Sequence, residues 1–268
     1  MIIRALRATT RYLTAIGNLG TTSTLKLVLY RLLRHRLQTD AKLLTKKFGP
    51  IYWNTGRDNV IAHLYTPQVR IYCPDDNLCI NTIVDLGANI GIETIRFAKM
   101  YPQASIFSVE AATENYRTLL LNTNGNPNCT CVHGTIWHKA TPLTLTKHTL
   151  DSQTWRVQET ENSSDANTQG ITFSEIMEKY NIKEVDILKV DIEGAEKQLF
   201  SESCKQWIGN VKCIIVESPD GDTPMTTIQM FKQFDEANYL FNTYIHGENL
   251  VLVRADLNWK PCSIEQYQ

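Results

Sequence analysis

Asn81–Tyr101 reads NTIVDLGANIGIETIRFAKMY. The apolar run around Ile83, Val84 and Leu86 predicts a short buried strand, and GIETIRFAKMY predicts a helix. Between them lies Asp85-Leu86-Gly87-Ala88-Asn89-Ile90-Gly91. Gly87 and Gly91 permit a tight turn and let a ligand approach the backbone with no Cβ in the way. Nineteen residues after Gly91 the next apolar run, SIFSVE, ends at Glu110. An acid at that point can accept hydrogen bonds from both hydroxyls of a ribose. The glycine spacing is not the GxGxxG of a dinucleotide binder, so nothing draws a pyrophosphate onto the helix and a nicotinamide dehydrogenase is disfavoured. A nucleoside cofactor without a pyrophosphate fits better, and S-adenosyl-L-methionine is that cofactor. Its amino-acid end would lie near Asp85 and the glycine loop, and its ribose at Glu110.

The pattern continues outward from that unit. TENYRTLLLN predicts a helix with Thr113 as N-cap, CTCVHGTI a third strand, FSEIMEKYN a helix and VDILKVD a fourth strand. GAEKQLFSES, VKCIIVES and TTIQMFKQFDEANY predict helix, fifth strand and helix, with FNTYI and NLVLVRA as two closing strands. Trp137 to Gly170 is less regular: TPLTLTKHTL suggests strand, and ETENSSDANTQG an exposed loop. Strands alternating with helices predict an α/β, doubly wound, Rossmann-like and mostly parallel sheet of seven strands. Right-handed crossovers place every strand's C-terminal end on one edge. Asp85, Glu110, Asp191 and Glu217 then gather there.

The 268-residue chain carries a formal charge of −1, which conceals an asymmetry. Residues 1–50 hold ten Lys and Arg against the single acid Asp40, whereas the remainder is acidic. Residues 22–47 place Leu25, Val28, Leu29, Leu32, Leu33 and Leu37 at helical spacings among basic residues. The expectation is a basic amphipathic helical segment over 1–50 joined to the α/β domain over 51–268. That helix would pack on the domain with a solvated face, or contact a membrane surface or an anionic substrate through residues 22–47. A nucleic-acid-binding module is the alternative that the basic segment raises, but few aromatics are interleaved there and nucleic acid is not expected. No apolar run reaches the ~20 residues that span a bilayer. The opening residues lack a long apolar core and a small-residue cleavage site, so no secretory signal is expected. Seven cysteines without a CxxC pair suit a reducing compartment, and a cytoplasmic location, peripheral to a membrane at most, is the expectation.

VDLGANIG (84–91), SVEAATENYRTLLLN (108–122) and DILKVDIEGAE (186–196) together resemble the FkbM-family methyltransferases, within the class I S-adenosylmethionine-dependent fold. The resemblance covers roughly residues 80–220, and DIEGAE is its most specific part. It implies that Gly87, Ala88, Asn89, Gly91 and Glu110 line the cofactor pocket with Asp85 supporting it. It also implies methylation of hydroxyl oxygens on sugars or natural products. The chain departs from the family where the fifth strand ends. Glu217-Ser218-Pro219 stands in place of a Glu-x-His-like motif, so a base role for that histidine has no counterpart here.

Methyl transfer to an alcohol requires an in-line nucleophile and a group that takes its proton. Asp191 ends the fourth strand and Glu217 the fifth, so both can face one pocket as bases. A divalent cation between them is a further option, but no third ligand is identifiable and none is expected. Glu193 and Glu196 have a simpler reading as acids favouring a helix start. Lys189 can pair with one of these acids. Thr135, at the end of strand three, is expected beside the adenine, and His138 just after it is a further candidate base. Asp-Ile-Glu-Gly after strand four, rather than an NPPY-like tetrapeptide, favours oxygen over a small-molecule nitrogen acceptor. The acceptor pocket is expected from residues 1–75 and 137–170.

Overall fold

The computed structural model describes residues 21–22, 25, 40–45, 49–54, 69–72, 80–147, 155–160, 164–217, 224–247 and 249–263. In chain order, β1 (Asp40–Thr45) and β2 (Gly49–Asn54) form an antiparallel hairpin, and β3 (Val69–Tyr72) follows. The unit on which the sequence turned is β4 (Thr82–Leu86) and α1 (Ile92–Met100), succeeded by β5 (Ser105–Glu110), α2 (Thr113–Thr123) and β6 (Cys129–His133). Next come four short strands: β7 (Thr135–Ile136), β8 (Pro142–Lys147), β9 (Trp155–Glu159) and β10 (Thr168–Ile171). The second half contains α3 (Phe173–Lys179), β11 (Val185–Val190), α4 (Glu196–Leu199) and two 3-10 turns, Glu202–Gln206 and Ile208–Asn210. It closes with β12 (Val211–Glu217), α5 (Thr226–Glu236), β13 (Phe241–His246), β14 (Asn249–Arg254) and β15 (Lys260–Ser263), the last pairing with β3.

The main sheet has the order β13-β14-β12-β11-β4-β5-β6. Six strands point one way and β14 runs against them, as its antiparallel pairing to both β12 and β13 requires. From β4 the chain moves outward through β5 and β6, then returns to place β11 and β12 on β4's other side. The strand order therefore reverses between β4 and β11, which is where open α/β sheets bind ligands.

Alternation along the strands sorts the core into two layers. Val84, Leu86, Leu188, Val190, Ile214 and Val216 face one side, with Phe173 and Ile176 of α3, Phe200, Trp207 and Phe234 of α5. Ile83, Ile106, Ile187, Cys213 and Ile215 face the other, with Phe97 of α1, Ile71 of β3 and Trp259. The same alternation puts Asp85 and Lys189 on the α1 side, at positions directly paired across β4 and β11. Asp186, the second residue of β11, is a buried polar anchor. It accepts from the Asn81 and Thr82 amides and pairs with Lys212 at 2.7 Å, which ties the N-terminal ends of β4, β11 and β12 together.

The structure differs from expectation in four places. A helix over 22–47 does not extend to its end: residues 21, 22 and 25 are helical, but 40–45 form β1. There Ala41, Leu43 and Thr45 are buried while Lys42 and Leu44 are exposed, a period of two that suits a strand. Residues 23–24, 26–39 and 46–47 of that expected helix lie outside those described. The Trp137–Gly170 stretch contains most of a second, four-stranded sheet, β7-β10-β8-β9, and part of the expected loop is β10 itself. The third strand divides at Gly134, where β6 leaves the main sheet and β7 joins the small one. Thr113 is the first residue of α2 and not its cap: Ala112, in extended backbone, holds the N-cap position, and its amide donates to the Glu110 carboxylate. Among the described residues, no helix is long and apolar enough to cross a membrane.

Candidate active site

Three strand exits build the site: β4 into the glycine loop, β5 into α2, and β11 into α4. After Leu86 the chain turns through Gly87, Asn89 and Gly91, all with φ between 50° and 88°. The Gly87 and Ala88 amides donate to the Val109 carbonyl at 3.0 and 2.9 Å, strapping the loop onto β5. At Gly87 a Cβ would lie 1.7 Å from the Asp191 carbonyl oxygen, so only glycine lets the β4 and β11 exits cross. Asn122 of α2 holds the far side of the loop. Its Nδ2 donates to the carbonyls of Ile90 and Tyr52, and its Oδ1 accepts from the Tyr52 amide. One side chain therefore ties the N-terminal hairpin to the glycine turn.

Glu110 closes the second exit. Its Oε2 accepts from the Asn89 amide at 2.9 Å, and its Oε1 from the Ala112 amide at 2.8 Å and Asn115 Nδ2 at 3.3 Å. Burial pushes its pKa from the ordinary 4.5 up to about 7, although these donors pull the other way. A carboxylate offers about four acceptor positions, so Oε2 keeps capacity for a further donor.

At the third exit Asp191 follows β11, and its amide donates to the Leu86 carbonyl at 3.0 Å. Lys189 Nζ donates to Asp191 Oδ2 at 3.0 Å and lies 3.9 Å from Asp85 Oδ1. Burial acts to lower the Lys189 pKa, but the charges of Asp191 and Asp85 outweigh it and hold the ammonium above the ordinary lysine range. Asp85 is wholly buried. Its Oδ2 accepts from Thr94 Oγ1 at 2.8 Å, Thr94 Oγ1 is 2.9 Å from Ser108 Oγ, and Oδ1 has no hydrogen-bond partner. Burial raises the Asp85 pKa, and the Lys189 charge and the Thr94 hydroxyl oppose that rise. Glu196 is buried as well. It accepts from the Ile192 and Gly194 amides at 3.1 and 2.8 Å, so it caps the turn as an acid at a helix start would. That turn needs left-handed backbone at both Glu193 and Gly194.

A cleft with a cavity volume of about 150 Å³ opens above these exits. Of the residues singled out in the sequence, Gly87, Asn89, Glu110, Thr135, Asp191, Glu193 and Glu217 line it. Asp85, Ala88 and Gly91 lie behind it: Asp85 in the Thr94–Lys189 network, Ala88 buried against Val109, and Gly91 against Leu119. Thr135 has its hydroxyl 2.7 Å from that of Thr168. His138 is placed elsewhere. It lines a separate depression with Trp137, Phe173 and Trp207, 3.7 Å from Glu159, and burial lowers its pKa. Among the described residues, no group of three or more His, Cys, Asp or Glu is arranged to hold a metal ion.

Residues 85–241 match the family described as methyltransferase FkbM domain, more than half of the chain. The chain belongs to the FkbM methyltransferase family. A curated relative, Methyltransferase 1 of Beauveria bassiana (strain ARSEF 2860), is 27% identical over 217 residues, covering 72% of this chain and 80% of that one. Among solved structures, the methyltransferase FkbM of Methylobacillus flagellatus KT aligns with a TM-score of 0.44 at 12% identity. That alignment covers 66% of this chain and 44% of the other, so the chain spans less than half the length of that relative. Aeropyrum pernix fibrillarin, solved with bound S-adenosyl-L-methionine, aligns with a TM-score of 0.41 at 14% identity over 82% of this chain and 84% of its own.

In this FkbM methyltransferase the wall of the cleft was the part hidden from sequence reasoning. Ile136 of β7, Leu145 of β8 and Trp155 and Val157 of β9 supply it, and Asn115 braces Glu110 from α2. A signal for the wall exists in PLTLTK, where Leu143 and Leu145 are buried between threonines. Asn115 lies five residues beyond Glu110, on the first turns of α2, and carries no comparable signal.

Proposed function

We propose that this FkbM methyltransferase transfers a methyl group from S-adenosyl-L-methionine to a hydroxyl oxygen of a sugar, glycan, glycolipid or secondary metabolite. The observation that carries this reading is the placement of Asp191 and Glu217. They follow and end the adjacent strands β11 and β12, and line the same cleft as Gly87, Asn89 and Glu110. The residues present fit the cofactor. Glu110 Oε2 can accept a ribose hydroxyl, Asn89 and Asn115 brace that carboxylate, and Val109, Ala111, Ile136 and Leu145 provide apolar lining for a heterocycle. When bound, S-adenosyl-L-methionine supplies a sulfonium methyl, and the carbon–sulfur bonding pair stays on sulfur as the methyl leaves.

The chain's own work is orientation and proton removal. An acceptor hydroxyl held in line forms the carbon–oxygen bond with an oxygen lone pair, and its proton passes to a carboxylate in the cleft. Asp191 is the carboxylate assigned to that task. It sits at the switch point beside Gly87, and its salt bridge to Lys189 fixes its orientation. Glu217 is assigned to the acceptor hydroxyl from the neighbouring strand. The test is transfer of tritiated methyl from S-adenosyl-L-methionine to polar and lipid extracts, followed by assay of Asp191→Asn. The expected result is label in a hydroxyl-bearing product and a loss of turnover of ~10²–10⁴-fold in the variant, with affinity for S-adenosylhomocysteine little changed. Wild-type turnover in Asp191→Asn overturns the assignment.

A further inference from the structure

The geometry points to Lys189 as a positioning residue for Asp191 with Asp85 as its buried counter-charge: the ammonium donates to Asp191 in the resting site and turns to Asp85 Oδ1 when Asp191 gains a proton. Its role in turnover rests on the reading of Asp191 as base.

Three observations support it. Lys189 Nζ is almost wholly buried, 3.0 Å from Asp191 Oδ2 and 3.9 Å from Asp85 Oδ1, so a small rotation about the side-chain torsions exchanges one contact for the other. Asp85 Oδ1 is buried and accepts no hydrogen bond, whereas its partner oxygen is committed to Thr94. An unsatisfied acceptor aimed at an ammonium is costly unless the ammonium can reach it. The third is register: Lys189 pairs with Asp85 across β11 and β4, so their side chains share the α1 face of the sheet while Asp191, beyond the strand end, lines the cleft. The lysine thus connects a group that ligands can touch to one they cannot.

The consequence follows from charge conservation in a poorly screened site. A buried ammonium with a single carboxylate partner opposes protonation of that partner, because the cation would be stranded. With Asp85 present, the cation keeps a counter-ion after Asp191 takes the acceptor's proton, so the base is not locked in its ionised form. The groups facing the triad are Glu93 and Arg96 on α1, themselves paired, Glu110 on β5, the thiols of Cys129 and Cys131 on β6, Glu193 in the turn after β11, Glu196 on α4 and Glu217 at the end of β12. The neighbouring carboxylates add negative charge, so removing Asp85 changes the balance at Lys189 in one direction.

The test needs no acceptor. The full chain is labelled with aspartate carrying ¹³C at the carboxyl carbon, Asp191 is assigned by its loss in Asp191→Asn, and its titration is followed by NMR. Asp85→Asn should move the Asp191 midpoint about one unit lower, since Lys189 then has one carboxylate fewer to share, and Lys189→Met should move it about one to two units higher. Should Asp85→Asn not fold, Thr94→Val removes the hydroxyl that holds Asp85 ionised and shifts Asp191 the same way by less. An Asp191 midpoint unmoved by Asp85→Asn or Thr94→Val, while Lys189→Met shifts it, overturns the two-carboxylate arrangement. If the shifts appear but Asp191→Asn keeps full methylation, the triad stands and the assignment of Asp191 as base falls.

Discussion

Glu110 should make the empty protein less stable as pH rises, because the fold holds its carboxyl in a place suited to a ligand and not to a bare charge. Burial lifts its pKa from 4.5 to about 7, so folding disfavours the ionised form. A group raised on folding contributes fully below its unfolded pKa and loses that contribution as pH climbs through the folded value. At about 1.4 kcal/mol per pH unit, the full span is about 3 kcal/mol, of which about 2.5 kcal/mol falls between pH 5 and pH 8. Glu110→Gln removes the titration. It also sets an amide NH₂ against either the Asn89 or the Ala112 amide, a constant penalty that does not depend on pH. The informative quantity is therefore the difference between wild type and variant from urea unfolding at pH 5, 6, 7 and 8. Wild type should lose about 2.5 kcal/mol relative to Glu110→Gln across that range. On the proposed reading the ribose hydroxyls would donate to the ionised form, so S-adenosylhomocysteine should bind more weakly as pH falls below 7. Binding at pH 7 should release about half a proton, seen by calorimetry in buffers of different ionisation enthalpy. Parallel stability profiles, or no proton release, would refute the reasoning.

Other outcomes follow from the same geometry. Gly87→Ala should lose both stability and cofactor-analogue binding, since its Cβ would meet the Asp191 carbonyl at 1.7 Å and its φ is +79°; a melting curve like wild type's would contradict that crossing. Asn122→Ala should cost about 1–3 kcal/mol and speed hydrogen exchange at the Tyr52 amide, because it unhooks the hairpin from the glycine loop. His138→Ala should leave methyl transfer close to wild type, as His138 lies outside the cleft, and a large drop in turnover would return it to the site. EDTA treatment with magnesium add-back should leave activity unchanged, and loss with recovery would restore a cation between Asp191 and Glu217.

The FkbM fold and the near half of the site were legible because they depend on local pattern. A strand that ends in Asp-x-Gly and enters a helix after Gly91 declares its turn within a few consecutive residues, and Glu110 declares the next exit. Glu196 is a similar case: acids at a helix start are common, and this one caps its own turn. The far half depended on pairing between distant segments. The strands β7 to β10 are short, and β7, β8 and β9 become a wall only because β10 pairs with both β7 and β8, and β8 with β9. Residues 40–45 could be drawn on a helix as readily as on a strand until the hairpin to β2 buried Ala41, Leu43 and Thr45.

VDLGANIG, SVEAATENYRTLLLN and DILKVDIEGAE pointed to the reaction family by resemblance, and the sequence could carry that much because backbone turns and strand-end acids are properties of a few consecutive residues. Which acids share a cleft, which one stays behind it, and that Lys189 stands between Asp85 and Asp191 were decided only when β11 came to lie beside β4. That adjacency is a contact between residues far apart in the chain. Burial of the whole sheet selects it, and no local preference of either strand encodes it.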